Sequence, residues 1–577
     1  MRRRGAPLAL TAAGSVAAAL FANAYASCLV SLSGEPTRNL QRALEALPDF
    51  ASSNLPFTTK PAALVAALLA ACGIWALWAY SLTHRPGERA GEEHGSARWG
   101  TRREGRRFAD TKHPERNIIL TENFALALSR EDRDRRYERN RNVLVVGGSG
   151  SGKTRGYVEP NIMQMNSDYL VTDPKGETLP RMGRMLEAHG YEVLSFNTVD
   201  FSRSMHYSPL AYVNDEADIL EFVTCLIENT TGDREHTGDP FWENAERLLY
   251  VALIGYLVRY CPPEDRSLSG LVTLLSLAKA KETDEDYMSP LDLLFREVET
   301  GMRYMRTSTA REGSFEAGSR ISYRAASSEF SWVRTGEPVS YDEMHLDRLG
   351  SDGSRRAVFA VMSDTSSLYS FLFAIMMWQT MNVLCKKALA DHGGSLPVPV
   401  HLVFDEFANI GRLPDVEKMV AVIRSRNISM SVVLQSVSQL KARYKDDAAT
   451  IVDCCDTTLF LGGKSTDTVK EISESVGKET VDTLTWNESR GATPGSTRNW
   501  NTLERDLVQG SEVARLPRDT ALVLIAGAMP LKDRKYDITR HPMWPEAYPG
   551  HPGARFAEPF DFKAYLEARR DAARQVS

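Results

Sequence analysis

The sequence predicts an α/β fold in which a mostly parallel sheet is covered by helices on both faces, with two membrane-spanning helices ahead of it. Three observations carry that expectation. Short apolar runs of strand length alternate with helical periodicity from Val143 onward, the pattern of strand–helix–strand units. One of these runs, Val143 to Val146, ends directly in Gly147-Gly148-Ser149-Gly150-Ser151-Gly152-Lys153-Thr154, the G-x-x-x-x-G-K-[ST] spacing of a phosphate-binding P-loop. Two N-terminal stretches, Ala6 to Val30 and Pro61 to Leu82, are apolar over about the 20 residues that a helix needs to cross a bilayer.

Composition bounds the rest. A chain of 577 residues, 43% hydrophobic and 25% charged, is ordinary globular material with room for about three to four domains. The net charge of −6 argues against wholesale electrostatic binding to nucleic acid, so any such contact comes from local patches or an assembled channel. The seven cysteines show no C-x-x-C spacing, which disfavours a zinc site or a disulfide framework.

Arg2, Arg3 and Arg4 precede the first apolar stretch, and Arg85, Arg89, Arg98, Arg102 and Arg103 follow the second. The positive-inside rule then places both ends in the cytoplasm and Ser31 to Lys60 outside, giving a multi-pass protein of the cell membrane. A competing reading takes the first stretch as a signal peptide ending near Ala24-Tyr25-Ala26; the second span would still leave the bulk cytoplasmic. Two other apolar runs, Leu248 to Val258 and Leu368 to Cys385, are too short or too interrupted, by Gln379 and Asn382, and read as buried core helices. From Arg98 to Arg141 twelve arginines and one lysine face eight acidic residues, a basic segment suited to anionic headgroups or to nucleic acid.

After the P-loop, Tyr169-Leu170-Val171-Thr172 reads as a second core strand closed by the polar turn Asp173-Pro174-Lys175-Gly176-Glu177. Further strands are expected at Glu192 to Phe196, Arg356 to Val361, Val400 to Phe404, Met430 to Leu434, Thr458 to Leu461 and Ala521 to Ala526. From about Ser208 to Glu337 the β signal gives way to helices, at Asp218 to Glu228, Trp242 to Tyr260 and Ser269 to Lys281. Glu488 to Arg498 clusters Ser, Arg, Gly, Thr and Pro without periodicity and reads as a mobile loop.

The chemistry follows from residue types. Gly147, Gly148, Ser149, Gly150, Ser151 and Gly152 would turn backbone N–H groups onto an anion, with the following helix N-terminus adding positive dipole. Lys153 would reach the β- and γ-phosphates of ATP, and Thr154 would hold Mg2+. Val400 to Phe404 delivers Asp405 and Glu406 from a buried strand, the Walker B form; Asp405 is assigned to magnesium and Glu406 to activation of the attacking water. Gln435 ends the next strand, where an amide can sense the γ-phosphate. Arg424 and Arg426 lie between these two strands, and either could be offered to a neighbour's nucleotide.

Taken together, Gly147 to Thr154, Thr172 to Glu177, Gly238-Asp239-Pro240-Phe241-Trp242, Phe404-Asp405-Glu406-Phe407, Leu434-Gln435-Ser436 and His94-Gly95-Ser96-Ala97-Arg98-Trp99 resemble the TraG/TraD-like coupling proteins of type IV secretion. The resemblance runs from the N-terminal spans to about Asp537. It implies a RecA-like P-loop NTPase motor domain with an all-α domain inserted between the Walker motifs, assembled as a homo-hexamer on the inner face of the membrane. It also implies recruitment of a relaxase-bound single strand of DNA, delivery to the components of a type IV secretion channel, and ATP hydrolysis to drive transfer. An arginine eleven residues before the motif glutamine is a candidate finger acting in trans, and Arg424 occupies that position.

The organisation expected is a membrane anchor over 1–84, a juxtamembrane segment over 85–140, a first motor part over 141–207, the insertion over 208–337, a second motor part over 338–540 and a tail over 541–577. The family's accessory-protein recognition region would fall around Leu396 to Leu524. Two departures bear on partners: only about thirty residues separate the spans, and Asp561 to Ser577 lacks the long acidic extension of some relatives, both compatible with a single-membrane host. Three alternatives remain: a coupling ATPase for protein effectors, an FtsK-type translocase of double-stranded DNA, and a scaffold that binds ATP without turning it over. The FtsK type would need more spans and a C-terminal DNA reader. Glu406 and Gln435 argue against the scaffold, since binding alone needs neither.

Overall fold

The computed structural model describes residues 5–32, 36–49, 57–83, 95–128, 134–230, 240–277, 289–297, 339–363, 366, 368–489 and 495–576. Its strands are β1 (Asn117–Ile119), β2 (Ala125–Ala127), β3 (Val143–Val146), β4 (Asp168–Asp173), β5 (Glu192–Asn197), β6 (Arg356–Val361), β7 (Val400–Phe404), β8 (Ile428–Leu434), β9 (Thr457–Phe460), β10 (Lys478–Ser489), β11 (Gly495–Asp506), β12 (Thr520–Ile525) and β13 (Leu531–Arg534). The chain divides into two units, 1–96 with 480–504, and 97–479 with 505–577.

The first unit holds the apolar helices Gly5–Ser31 and Pro61–Thr83 and, between them in sequence, the amphipathic helix Pro36–Glu45. Leu10–Ser31 and Pro61–Tyr80 are long and apolar enough to cross a membrane, with hydropathies of 1.5 and 2.1. Leu10, Leu68, Leu69 and Leu77 stay exposed along them. The polar Asn23 is satisfied inside its helix's packing: its Nδ2 donates to the Thr58 carbonyl at 3.0 Å and its Oδ1 accepts the Thr58 N–H at 2.7 Å. β10 and β11 pair as a separate two-stranded sheet. The mobile loop expected at Glu488 to Arg498 is therefore corrected: strand covers Glu488, Ser489 and 495–498, while 490–494 lie outside the described residues. Pairing across the hairpin satisfies the backbone where side-chain periodicity gives no signal.

The second unit is built on a nine-stranded sheet of order β13-β12-β9-β3-β8-β7-β4-β6-β5. From β5 to β9 all neighbours run parallel, and β12 and β13 add an antiparallel edge. Every residue of β3, β4, β6, β7 and β8 is buried, so these strands read as continuous apolar runs instead of alternating ones. The helix Ser370–Ala390 carries Gln379 into the core, where Tyr207 OH donates to its Oε1 at 2.6 Å and its Nε2 donates to the Pro209 carbonyl at 2.9 Å. A satisfied amide is tolerated there, so the polar interruption does not break the core helix.

Between β5 and β6 the described residues form the helices Glu216–Thr230, Pro240–Tyr260, Leu268–Leu277 and Pro290–Glu297, and no strand. Gly238, Asp239 and 278–281 of the sequence reading lie outside the described residues, as do Arg2 to Arg4, Arg85, Arg89 and His94. Residues 97–128 join the same core: β1 and β2 pair antiparallel, and Phe108, Ile118, Leu120, Phe124 and Leu126 are buried. The basic stretch is thus partly core, with Arg98 paired to Glu104 and the buried Arg141 donating to Asn427 Oδ1 at 2.8 Å. The expected tail is docked as well. Phe560, Phe562 and Leu566 are buried, Arg569 pairs with Glu192, and Arg570 donates to Glu343 at 2.8 Å.

Candidate nucleotide-binding site

β3 enters the P-loop between β8 and β9. The loop's first two N–H groups are taken by those neighbours: Gly147 N–H donates to the Leu434 carbonyl at 3.0 Å and Gly148 N–H to the Gly462 carbonyl at 2.8 Å. A Cβ at Gly147 would stand 2.4 Å from Ser151 Oγ and 3.1 Å from Leu461 Cβ, so a side chain there would push Ser151 and its neighbours aside. Gly152 adopts φ 88°, the left-handed region that a side chain resists, and nothing lies within 4 Å of where its Cβ would be. Ser149 and Gly150 form the exposed tip. The helix beyond opens as a π-turn over Thr154–Val158, with Glu159 N–H reaching the Thr154 carbonyl, a geometry frequent at functional sites.

Lys153 is 9% exposed, and its Nζ donates to the Gly147 carbonyl at 2.8 Å and the Gly148 carbonyl at 3.4 Å. Burial lowers its pKa, and Asp405 and Glu406 pull it back up. Thr154 Oγ1 donates to Asp405 Oδ2 at 2.9 Å, across the strand β8 that separates β3 from β7. Burial raises the Asp405 carboxyl to about 6, against the opposing pull of the Thr154 hydroxyl and Lys153. Thr172, at the end of β4, donates from Oγ1 to the Asp405 carbonyl at 2.7 Å and fixes the turn.

Glu406 follows in the left-handed region at φ 54°. Its Oε1 accepts from Gln435 Nε2 at 3.3 Å and its Oε2 from Asn409 Nδ2 at 2.9 Å. The structure thus brings together Lys153, Thr154, Asp405, Glu406 and Gln435 at the C-terminal edge of the sheet. Arg424 is not among them. It stands in the turn Arg424–Arg426 before β8, at the opposite edge, a strand length of more than ~20 Å away. There it lines a groove of about 890 Å³ with Arg116, Arg141 and Arg355.

The sequence reading missed Thr172, Asn409 and the structural part of Asp173. That carboxylate accepts from the N–H groups of Glu177, Thr178 and Leu179 at 3.2, 2.9 and 3.0 Å, and so caps the helix Thr178–Ala188. An Asp five residues before a helical run is the signal that was available.

Three observations fit a magnesium-bound nucleoside triphosphate: the open space at Gly152, the buried Ser151 Oγ without a protein partner, and the oxygen pair of Thr154 and Asp405. A parallel sheet with the P-loop on a central strand, the acidic pair two strands away, and an amide-bearing strand between them defines a P-loop NTPase of RecA-like fold. The chain belongs to the type IV secretory system conjugative DNA transfer family, whose model matches residues 109–538.

The conjugal transfer protein TraG of Rhizobium radiobacter is 22% identical over 402 residues, 67% of this chain and 60% of that one. The TraG protein of Escherichia coli is 22% identical over 465 residues, 74% of this chain and 71% of that one. Among solved structures, the plasmid coupling protein TrwB in complex with the ATP analogue ADPNP superposes with a TM-score of 0.55 at 18% identity, covering 78% of this chain and 97% of that chain. The same protein with ADP and Mg2+ gives 0.53 at 17%, covering 82% and 100%.

Proposed function

We propose that this chain is a membrane-anchored ATPase that assembles as a homo-hexamer and couples relaxase-bound single-stranded DNA to a type IV secretion channel. The observation that carries the ATPase reading is the Thr154–Asp405 contact beside Glu406, an acid pair at the mouth of a P-loop. Family membership and the fold shared with TrwB support the DNA-transfer reading, and the two apolar helices support the anchor.

Lys153 binds the β- and γ-phosphates, exchanging the Gly147 and Gly148 carbonyls for phosphate oxygens. Thr154 and Asp405 would hold Mg2+, which would neutralise charge on the phosphate oxygens. Glu406 takes a proton from the attacking water, and Gln435, bonded to Glu406, relays the state of the γ-phosphate to β8. Under this reading Arg424, at the far edge of its own sheet, acts on a neighbouring copy's nucleotide.

The test is ATP hydrolysis by the purified full chain in detergent, with and without single-stranded DNA, beside Lys153→Ala, at one stated low salt concentration. DNA-stimulated turnover that the variant lacks supports the proposal. Turnover indifferent to DNA points to protein substrates, and binding without turnover to the scaffold.

A further inference from the structure

We infer that Lys535 is a positioning residue of the nucleotide site, holding one peptide of the P-loop with its N–H turned toward the phosphates. The inference rests on the nucleotide reading proposed above. Lys535 follows β13, and its Nζ donates to the Ser151 carbonyl at 2.8 Å. In a trans peptide the C=O and N–H point in opposite directions. A Ser151 carbonyl held by the Lys535 ammonium therefore fixes the Gly152 N–H on the opposite side of that peptide.

The bond is charge-assisted, and a cation on the carbonyl polarises the peptide so that its N–H becomes a stronger donor to an anion. The support under Lys535 is rigid. Its backbone N–H donates to the Asp519 carbonyl at 2.7 Å, β13 pairs with β12 from Leu531 to Arg534, and Asp533 accepts from Thr121 Oγ1 and Asn123 N at 2.8 Å each. The ammonium is half-buried, which lowers its pKa while the neighbouring Asp519 partly restores it. Two lysines thus grip carbonyls of one loop, Lys153 at Gly147 and Gly148, Lys535 at Ser151. Lys153 leaves its carbonyls for the phosphates, whereas Lys535 stays and keeps the cradle shaped.

The experiment measures the affinity of the full detergent-solubilised chain for a fluorescent ADP analogue and for ATP, in wild type, Lys535→Met, Lys535→Arg, Lys532→Met and Lys153→Ala. Methionine keeps the apolar stem and removes the ammonium. Lys535→Met is expected to bind about tenfold more weakly, with Lys535→Arg recovering most of the loss. Lys532→Met, on the strand that Lys535 follows and over the Trp99 ring, should bind like wild type. A melting temperature lowered in Lys535→Met with affinity unchanged overturns the inference, because a merely structural lysine would behave so. A wild type that binds no better than Lys153→Ala overturns the nucleotide reading and this assignment with it.

Discussion

Asn161 answers both main-chain groups of Ile119: its Oδ1 accepts the Ile119 N–H at 2.7 Å and its Nδ2 donates to the Ile119 carbonyl at 3.0 Å. One buried amide thus acts as a strand neighbour for β1 and ties it to the helix that leaves the P-loop. Asn161→Ala would strand two buried backbone groups at a cost of about 2–4 kcal/mol. The check is urea denaturation of the solubilised chain, where an unchanged midpoint would refute the tie.

Asp405 and Glu406 are adjacent but should separate by readout. Asp405→Asn is expected to weaken nucleotide binding only when Mg2+ is present. Glu406→Gln should bind ATP normally while turnover falls about 10²- to 10⁴-fold. Nucleotide affinity and kcat measured on the same preparations distinguish them, and a Glu406→Gln turnover within threefold of wild type removes Glu406 from the water-activating role.

Arg424 sits too far from its own P-loop to act on the nucleotide held there. Arg424→Ala should keep nucleotide affinity and lose turnover about 10³-fold or more. Mixing it with Lys153→Ala subunits should recover part of the activity, because each variant supplies what the other lacks. Recovery of nothing on mixing, with assembly intact, would count against action in trans.

His401 and His541 are buried neutral, each pushed down to about 4 by desolvation. His401 Nε2 lies 2.8 Å from Ser431 Oγ, and His541 Nδ1 accepts the Met543 N–H at 3.1 Å. Between about pH 6.5 and 4 the unfolded chain binds protons that the folded chain refuses, so stability rises with pH across that window. Acidification should then cost up to about 1.4 kcal/mol per pH unit for each histidine. Denaturant midpoints from pH 7 to 5 measure the slope, and His401→Phe, which keeps the ring's bulk, should flatten it.

The sheet was legible because eight of its strands are buried on both faces or close to it, and a continuous apolar run with turn residues at its end survives without knowledge of partners. β13 was not, since its Leu531-Lys532-Asp533-Arg534 is polar and owes its place to pairing with β12. β1 and β2, three residues each, were hidden among arginines whose charge dominated the reading. The P-loop and the acid pair were legible because phosphate chemistry dictates residue types at fixed spacing. Thr172, Asn409 and Lys535 were not, because what places them is a tertiary contact from a distant stretch of chain.

β3 lies between β8 and β9, so the strand bearing the P-loop has its two sheet neighbours at 428–434 and 457–460, nearly three hundred residues downstream. During synthesis from the N-terminus, Val143 to Val146 therefore emerges without anything to pair with, while the apolar helices before it have already left the ribosome. Chains arrested before 457 should fail to be retained on immobilised ATP, and full chains should be held. With the anchoring proposed above, the chain would thus reach the membrane first and acquire nucleotide only afterwards, with no half-made copy drawing on the cell's ATP.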